Sequence, residues 1–266
     1  MATAVVAACS RGSGDPERLP EEDGVETIRY GADAAQFAEL TRPEGTSKGV
    51  VVVIHGGFWL SQYDLSLGRP LATSLAAEGW TAYNIEYRRV GNGGGWPQTF
   101  DDTAAAIDAL AGVERLDTSR VVTLGHSAGG HLAVWAAGRP QLSGSPWADP
   151  AVPVTAAISQ AGVLDLASAT ADNLGGGAVQ RFMGGTADDR YRQADPTAVI
   201  PLAVPVHCVH GTSDGTVPLS QSVDYVERAI AVGARAQLTE VDGDHFAVID
   251  PNSPAWARTV EILDSL

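Results

Sequence analysis

Lysine is almost missing from this chain of 266 residues: Lys48 stands alone beside sixteen arginines. Asp and Glu number 32 against 17 basic residues, giving a net charge of −15. Only Arg88–Arg89 places two basic residues side by side. A surface that tracks phosphates needs concentrated positive charge, so nucleic acid is excluded as an expected partner and docking to an anionic membrane is disfavoured. The same balance argues against an anionic substrate. Cysteine is scarce as well, with Cys9 and Cys208 alone. Two such sites make neither a disulfide framework nor a metal quartet. Cys208 lies in the apolar run from Val204 to Val209 and reads as a buried core thiol. Long hydrophobic runs are absent too. The longest stretch of branched aliphatic residues is Val50 to Ile54, far short of the roughly 18 apolar residues of a transmembrane helix.

What remains is an ordinary globular composition, 44% hydrophobic and 18% charged. The length suits one large domain with a sizeable core. Residues 1–24 stand apart. From Ser10 to Asp23 the chain is rich in charge, Gly and Pro and poor in apolar residues, the composition of a disordered tail. Just before it, Val6-Ala7-Ala8-Cys9 is similar to a bacterial lipobox, but no basic residue and only a short apolar stretch precede Cys9. Either the start is the remnant of a lipoprotein signal or the match is chance. The expected location is cytoplasmic, with a membrane-anchored or secreted lipoprotein as the alternative if the start is truncated.

From Val25 onward strand and helix alternate. Val25–Gly31 and Gln36–Thr41 read as an opening hairpin. Gly49–Ile54 reads as a strand buried on both faces, because its β-branched run is continuous. Further strands are expected at Thr81–Tyr87, Arg120–Leu124, Val154–Ser159, Pro205–Val209 and Ala236–Val241. Helices are expected at Pro70–Glu78, Gln98–Ala111, from the end of the Arg120 strand to Ala137, at Leu219–Val232 and at Trp256–Leu266. The rhythm predicts an α/β class: one domain over 25–266, a mostly parallel sheet with helices on both faces and ligands at the carboxyl ends of the strands. Residues 161–203 carry no clear pattern and read as a short insertion over the sheet rather than a large lid.

The strongest signal is Gly125-His126-Ser127-Ala128-Gly129, which satisfies G-x-S-x-G between an apolar strand and a helix of small residues. That context defines a nucleophile elbow: a tight, strained turn holds Ser127 out at the sheet edge, with small residues on either side. A second signal, His55-Gly56-Gly57-Phe58-Trp59, directly follows the Val-rich strand and matches an oxyanion loop. Its glycines let the N–H of Gly57 or Phe58 face a substrate oxygen, with the N–H of Ala128 as partner donor. His55 is expected to orient this loop rather than move a proton.

A seryl hydroxyl needs a base. His126 and His131 flank the elbow as packing or helix-surface residues, His207 lies within a strand, and His210 ends that strand. His245, in the loop after the last strand, completes the chain order Ser, Asp, His. Asp214, in the turn Gly211–Pro218, is the expected acid that fixes its tautomer. Asp165, after the preceding strand, is the substitute. Asp244 is disfavoured as an immediate neighbour of His245.

The segments at 55–59, 125–130, 211–218 and 243–246 resemble the α/β-hydrolase superfamily, over roughly residues 48–250. Within it, His-Gly-Gly-Phe-Trp, Glu86-Tyr87-Arg88, Trp96-Pro97, Gly130-His131-Leu132-Ala133 and the Gly211–Pro218 turn resemble small bacterial esterases grouped with kynurenine formamidases and acylaminoacyl-peptidase-like hydrolases. The resemblance implies Ser127, Asp214 and His245 as a triad, Gly57 and Ala128 as oxyanion donors, and no metal or organic cofactor. The expected reaction is cleavage of a small-molecule ester or amide: a carboxylesterase for small or aryl esters, with an arylformamidase as the alternative. Phe58, Trp59, Phe182 and Met183 are candidates to line an apolar substrate pocket, with the core as their other destination. Members of this fold that lost catalysis and serve as binding proteins form the contrasting class; a missing triad residue would point there, and none is missing.

Overall fold

In the computed structural model, which describes residues 24–185 and 188–266, the Val-rich run forms a central strand whose side chains serve two cores. The strands are β1 (Val25–Arg29), β2 (Phe37–Thr41), β3 (Val50–Ile54), β4 (Thr81–Ile85), β5 (Val121–His126), β6 (Ala156–Gln160), β7 (Val206–Gly211) and β8 (Ala236–Val241). The helices are α1 (Arg69–Ala77), α2 (Gln98–Asp108), α3 (Ala128–Ala137), α4 (Leu166–Ala171), α5 (Ala178–Met183), α6 (Tyr191–Ala194), α7 (Ser220–Ala231) and α8 (Pro254–Ser265). In β3, Val50, Val52 and Ile54 enter one core while Val51 and Val53 enter the other. Period-two alternation splits a continuous apolar run in this way only when both sheet faces are covered. Helices α2, α3 and α7 close the first face, and α1 and α8 close the second. Each fully buried Val or Ile contributes about 1.5–3 kcal/mol.

The eight strands run in the order β1-β2-β4-β3-β5-β6-β7-β8, with β2 alone opposed to its neighbours. The chain steps from β3 to β4 on one side, then crosses back to place β5 on the other. The order therefore reverses between β3 and β5, the place where open sheets of this class leave a crevice. Ile54 pairs with Gly125 there, so the loop after β3 and the turn after β5 leave the sheet side by side. At the far edge Gly211 pairs with Val241, which brings the loops after β7 and β8 together. Thr212 N–H donates to Val241 O and Ser213 N–H to Gly243 O, both at 2.9 Å.

Most expected elements appear within one to three residues. The pattern-free stretch 161–203 packs on one face of the sheet as a short helical insertion. It contains α4, α5 and α6, and Leu166, Ala169, Val179, Phe182 and Met183 are sunk into the first core. Cys208 is buried in that core, as a thiol should be. The tail, with the lipobox-like Cys9, lies outside the described residues. Among the described residues no helix is long and apolar enough to cross a membrane.

Candidate active site

Backbone crowding explains the small residues around Ser127. A Cβ at Gly125 would lie 2.0 Å from the Gly129 carbonyl oxygen, and one at Gly129 would lie 2.0 Å from that of Ile54. The turn therefore closes only with glycine at both positions. Ser127 takes φ 56° and ψ −119°, a conformation that costs a non-glycine residue about 1–3 kcal/mol and persists only where the surroundings impose it. They do: its N–H donates to Gln160 O at 2.8 Å, and α3 starts at the next residue.

The loop after β3 presses on this turn. A Cβ at Gly56 would come within 3.0 Å of Ser127 Cβ. Gly57, Phe58 and Trp59 have φ of 109°, 53° and 55°, a left-handed run unusual for bulky side chains. It is held from below. His55 stacks on Tyr87, with centroids 4.4 Å apart, and Tyr87 donates its hydroxyl proton to His55 O at 2.7 Å. His55 Nε2 lies 3.2 Å from Glu86 Oε1, and Arg89 pairs with the same oxygen. Glu86 also accepts from Leu65 N–H and Tyr87 N–H. Burial alone would raise the Glu86 carboxyl; the His55 hydrogen bond, the nearby charges and the Tyr87 N–H overcome it and hold the group below the usual carboxylate range. His55 thus anchors the loop, as its position after the strand led one to expect.

At the other side of the crevice, His245 Nδ1–H donates to Asp214 Oδ2 at 2.7 Å. Asp214 Oδ1 accepts from Thr216 N–H at 2.8 Å and Val217 N–H at 2.9 Å. Its side chain is fully buried. Burial works to raise this carboxyl, but hydrogen bonds from His210, His245, Val217 and Thr216 outweigh it and hold the pKa far below the ordinary value. Ser127 and His245 line one cavity of about 90 Å³, together with Phe58, Tyr63, Leu67, Phe246 and Ile249. Among the described residues no hydrogen bond joins Ser127 Oγ to His245; contacts of this kind are often long in unliganded sites and tighten on substrate binding.

The crevice also holds His126, which sequence reasoning set aside as packing. Its Nε2–H donates to His245 O at 2.8 Å, and the two rings lie 4.4 Å apart. Burial, reinforced by the neighbouring His245, lowers its pKa to about 3. An unfolded imidazole titrates near 6.5. Between those values the unfolded chain takes up a proton that the native state refuses. Stability is then complete above about pH 6.5 and declines by about 1.4 kcal/mol per pH unit as pH falls. His126→Gln keeps an N–H near the Nε2 position but cannot titrate. Its unfolding free energy should depend on pH between 6 and 4 less steeply by about that amount. Denaturant melts across this range check it, and an unchanged slope would place His126 outside the buried, neutral state.

The structure brings Ser127, His245 and Asp214 to one rim, with Gly57, Phe58 and Ala128 around the serine. Of the expected substrate-lining residues only Phe58 reaches the cavity. Trp59, Phe182 and Met183 are fully buried elsewhere. Trp59 stacks on Phe182 at 4.4 Å, with His131 edge-on to both, so these side chains are core and not pocket. The left-handed φ of Trp59 turns the loop back into the protein immediately after Phe58. Asp165, the alternative acid, caps α4 through Ser168 N–H and pairs with Arg228 at 2.8 Å. Tyr63, Leu67, Thr216, Phe246 and Ile249 were not singled out from sequence. Only Phe246 carried a signal, as an aromatic next to His245.

The BD-FAE family model matches residues 39–228, from β2 into α7, and so takes in Ser127 and Asp214. Esterase LipC of Mycobacterium tuberculosis is 29% identical over 88% of this chain, which spans 65% of LipC. The protein YfhR of Salmonella typhimurium is 28% identical over 77% of this chain and 66% of its own length. The chain thus spans a little under two thirds of these relatives. Among solved structures, Thermogutta terrifontis esterase 2 phosphoramylated by tabun superposes with a TM-score of 0.74 at 25% identity, over 92% of this chain and 94% of that one. Esterase B from Lactobacillus rhamnosis, carrying a tributyrin phosphonate inhibitor, superposes with a TM-score of 0.76 at 21% identity, over 94% and 86%. At that identity the second likeness concerns the fold.

Proposed function

The chain belongs to the BD-FAE family and has the α/β-hydrolase fold, and on that footing we propose that it is a serine carboxylesterase cleaving small carboxylic esters, aryl esters included, through an acyl-enzyme. The observation that carries the reading is the shared cavity: a strained serine and an imidazole face the same space, and the far ring nitrogen is tied to a buried, ionised carboxylate. Ser127 Oγ attacks the substrate carbonyl while His245 Nε2 takes its proton. Asp214 holds Nδ1–H in place and stabilises the imidazolium. The N–H groups of Ala128 and of Gly57 or Phe58 donate to the developing oxyanion, each worth about 10²–10³ in rate. His245 returns the proton to the departing alkoxide, and water repeats the sequence on the acyl-enzyme. The relatives named by activity are called esterases, which supports ester cleavage over the formyl-amide cleavage that was the alternative.

Cavity size limits the substrate. About 90 Å³ has room for about six to nine water-sized groups at 10–15 Å³ each, enough for a short acyl group and not for a fatty chain. Its walls are mostly apolar. We expect kcat/KM for p-nitrophenyl acetate and butyrate to exceed that for the palmitate ester by about 100-fold or more, since a chain too long for the cavity displaces its carbonyl from Ser127, and a misplacement of about 1 Å can cost about 10²-fold. Initial rates on this series test the reading. Absence of turnover on all three, with no labelling by a fluorophosphonate probe, would end it.

A further inference from the structure

We propose that His210 is a positioning residue of this site, a second imidazole that grips the Asp214 carboxylate on the oxygen shared with His245. The proposal rests on the triad reading above. His210 is the penultimate residue of β7 and is fully buried. Its Nε2 lies 3.0 Å from Val217 O and 3.2 Å from Asp214 Oδ2. Both neighbours are acceptors, so Nε2 carries the proton: it donates to Val217 O and holds its positive N–H edge 3.2 Å from Asp214 Oδ2. Its Nδ1 meets Ser222 Oγ at 2.8 Å, and Ser222 is itself fully buried in the first turn of α7. The ring is therefore fixed at Nε2 by the turn that carries Asp214 and at Nδ1 by α7.

The consequence falls on Asp214. Oδ1 has two backbone donors, and Oδ2 accepts from His245 with the protonated nitrogen of His210 3.2 Å away. The charged and titratable groups facing it are His210, His245 and, further off, His126. Burial of Asp214 opposes its charge, and the His210 hydrogen bond stands first among those that overcome it, ahead of the bond from His245. A buried histidine that only packed the turn would account for the contacts to Val217 and Ser222. It would not by itself account for a protonated nitrogen placed 3.2 Å from the oxygen that orients the base. A carboxylate held in this way keeps His245 in one tautomer and one plane, which is the geometry that proton transfer from Ser127 requires.

Two near-isosteres separate these roles. In His210→Gln the amide nitrogen falls near the Nε2 position and can still donate to Asp214. In His210→Asn it falls near Nδ1, keeps Ser222 and cannot reach Asp214. With p-nitrophenyl butyrate, the Asn variant should lose about 10- to 100-fold in kcat with KM within about twofold, as misplaced catalytic groups do. The Gln variant should recover most of that loss, and the rate of fluorophosphonate labelling at Ser127 should follow kcat in both. Equal kcat for the two variants at matched folded fraction, or wild-type kcat in the Asn variant, would overturn the proposal. Should His210→Asn not fold, Ser222→Ala carries the same test: kcat should fall about threefold or more with KM unchanged, and an unchanged kcat overturns it. An inert wild-type protein, or an active Ser127→Ala variant, would instead defeat the triad reading and is told apart by those controls.

Discussion

Replacing Ser127 with alanine should lower kcat for p-nitrophenyl butyrate by about 10⁴- to 10⁶-fold and leave a folded protein. The remaining rate over water would come from the oxyanion donors, which the substitution does not touch. Alanine keeps a Cβ, so the left-handed φ of 56° is as costly as before and no stability is released. The thermal midpoint should therefore stay within a few degrees of the wild type, about the shift that 1 kcal/mol produces. Paired measurements of turnover and melting separate lost chemistry from lost folding. Fluorophosphonate labelling gives the sharper reading: a band that survives in Ser127→Ala would remove Ser127 from the nucleophile role.

The second large effect is expected at the carboxylate. Asp214→Asn should lower kcat by about 10³- to 10⁴-fold. Thr216 N–H and Val217 N–H both point at Oδ1, so the amide oxygen of an asparagine must settle there. Its NH₂ group then faces His245 Nδ1, where Oδ2 stood. A donor opposite Nδ1 drives the ring proton to Nε2, and an Nε2–H cannot accept from a serine. The same NH₂ also lies beside the protonated Nε2 of His210, 3.2 Å from Oδ2 in the wild type, and this approach of two positive edges should reduce stability. Asp165→Asn offers the comparison. It weakens a pair with Arg228, whose side chain is half-exposed, and alters a helix cap, worth about 1 kcal/mol of stability, and it should leave kcat within about threefold. Initial rates on the two variants decide the assignment, and the reverse order would hand the role to Asp165.

The elements were legible because their signals are local. β3 is a β-branched run, α1 carries a proline in its first turn, and the elbow announces itself by glycines that only close backbone approach requires. The relative order of Ser127, Asp214 and His245 could be read in the same way. The pocket could not. Trp59 and Phe182 are as apolar as Phe58, and no pattern in the chain distinguishes an aromatic that turns inward from one that faces the crevice. That distinction is made by the left-handed φ at 58 and 59 and by the stack of Trp59 on Phe182. His210 looked like the end of a strand, since its meaning depends on a carboxylate four residues on and a helix that follows.

The amino-acid sequence alone determined which residues the proposed chemistry calls on, because strand period, turn crowding and the residue types that transfer protons are properties of short segments. Tertiary structure decided which groups touch. The reversal between β3 and β5 set the loop of His55 against Ser127, and the pairing of β7 with β8 set the loop of Asp214 against that of His245. Contacts between segments so far apart are fixed by packing on a common sheet, and the free energy of that packing is shared over the whole core rather than recorded at any one position.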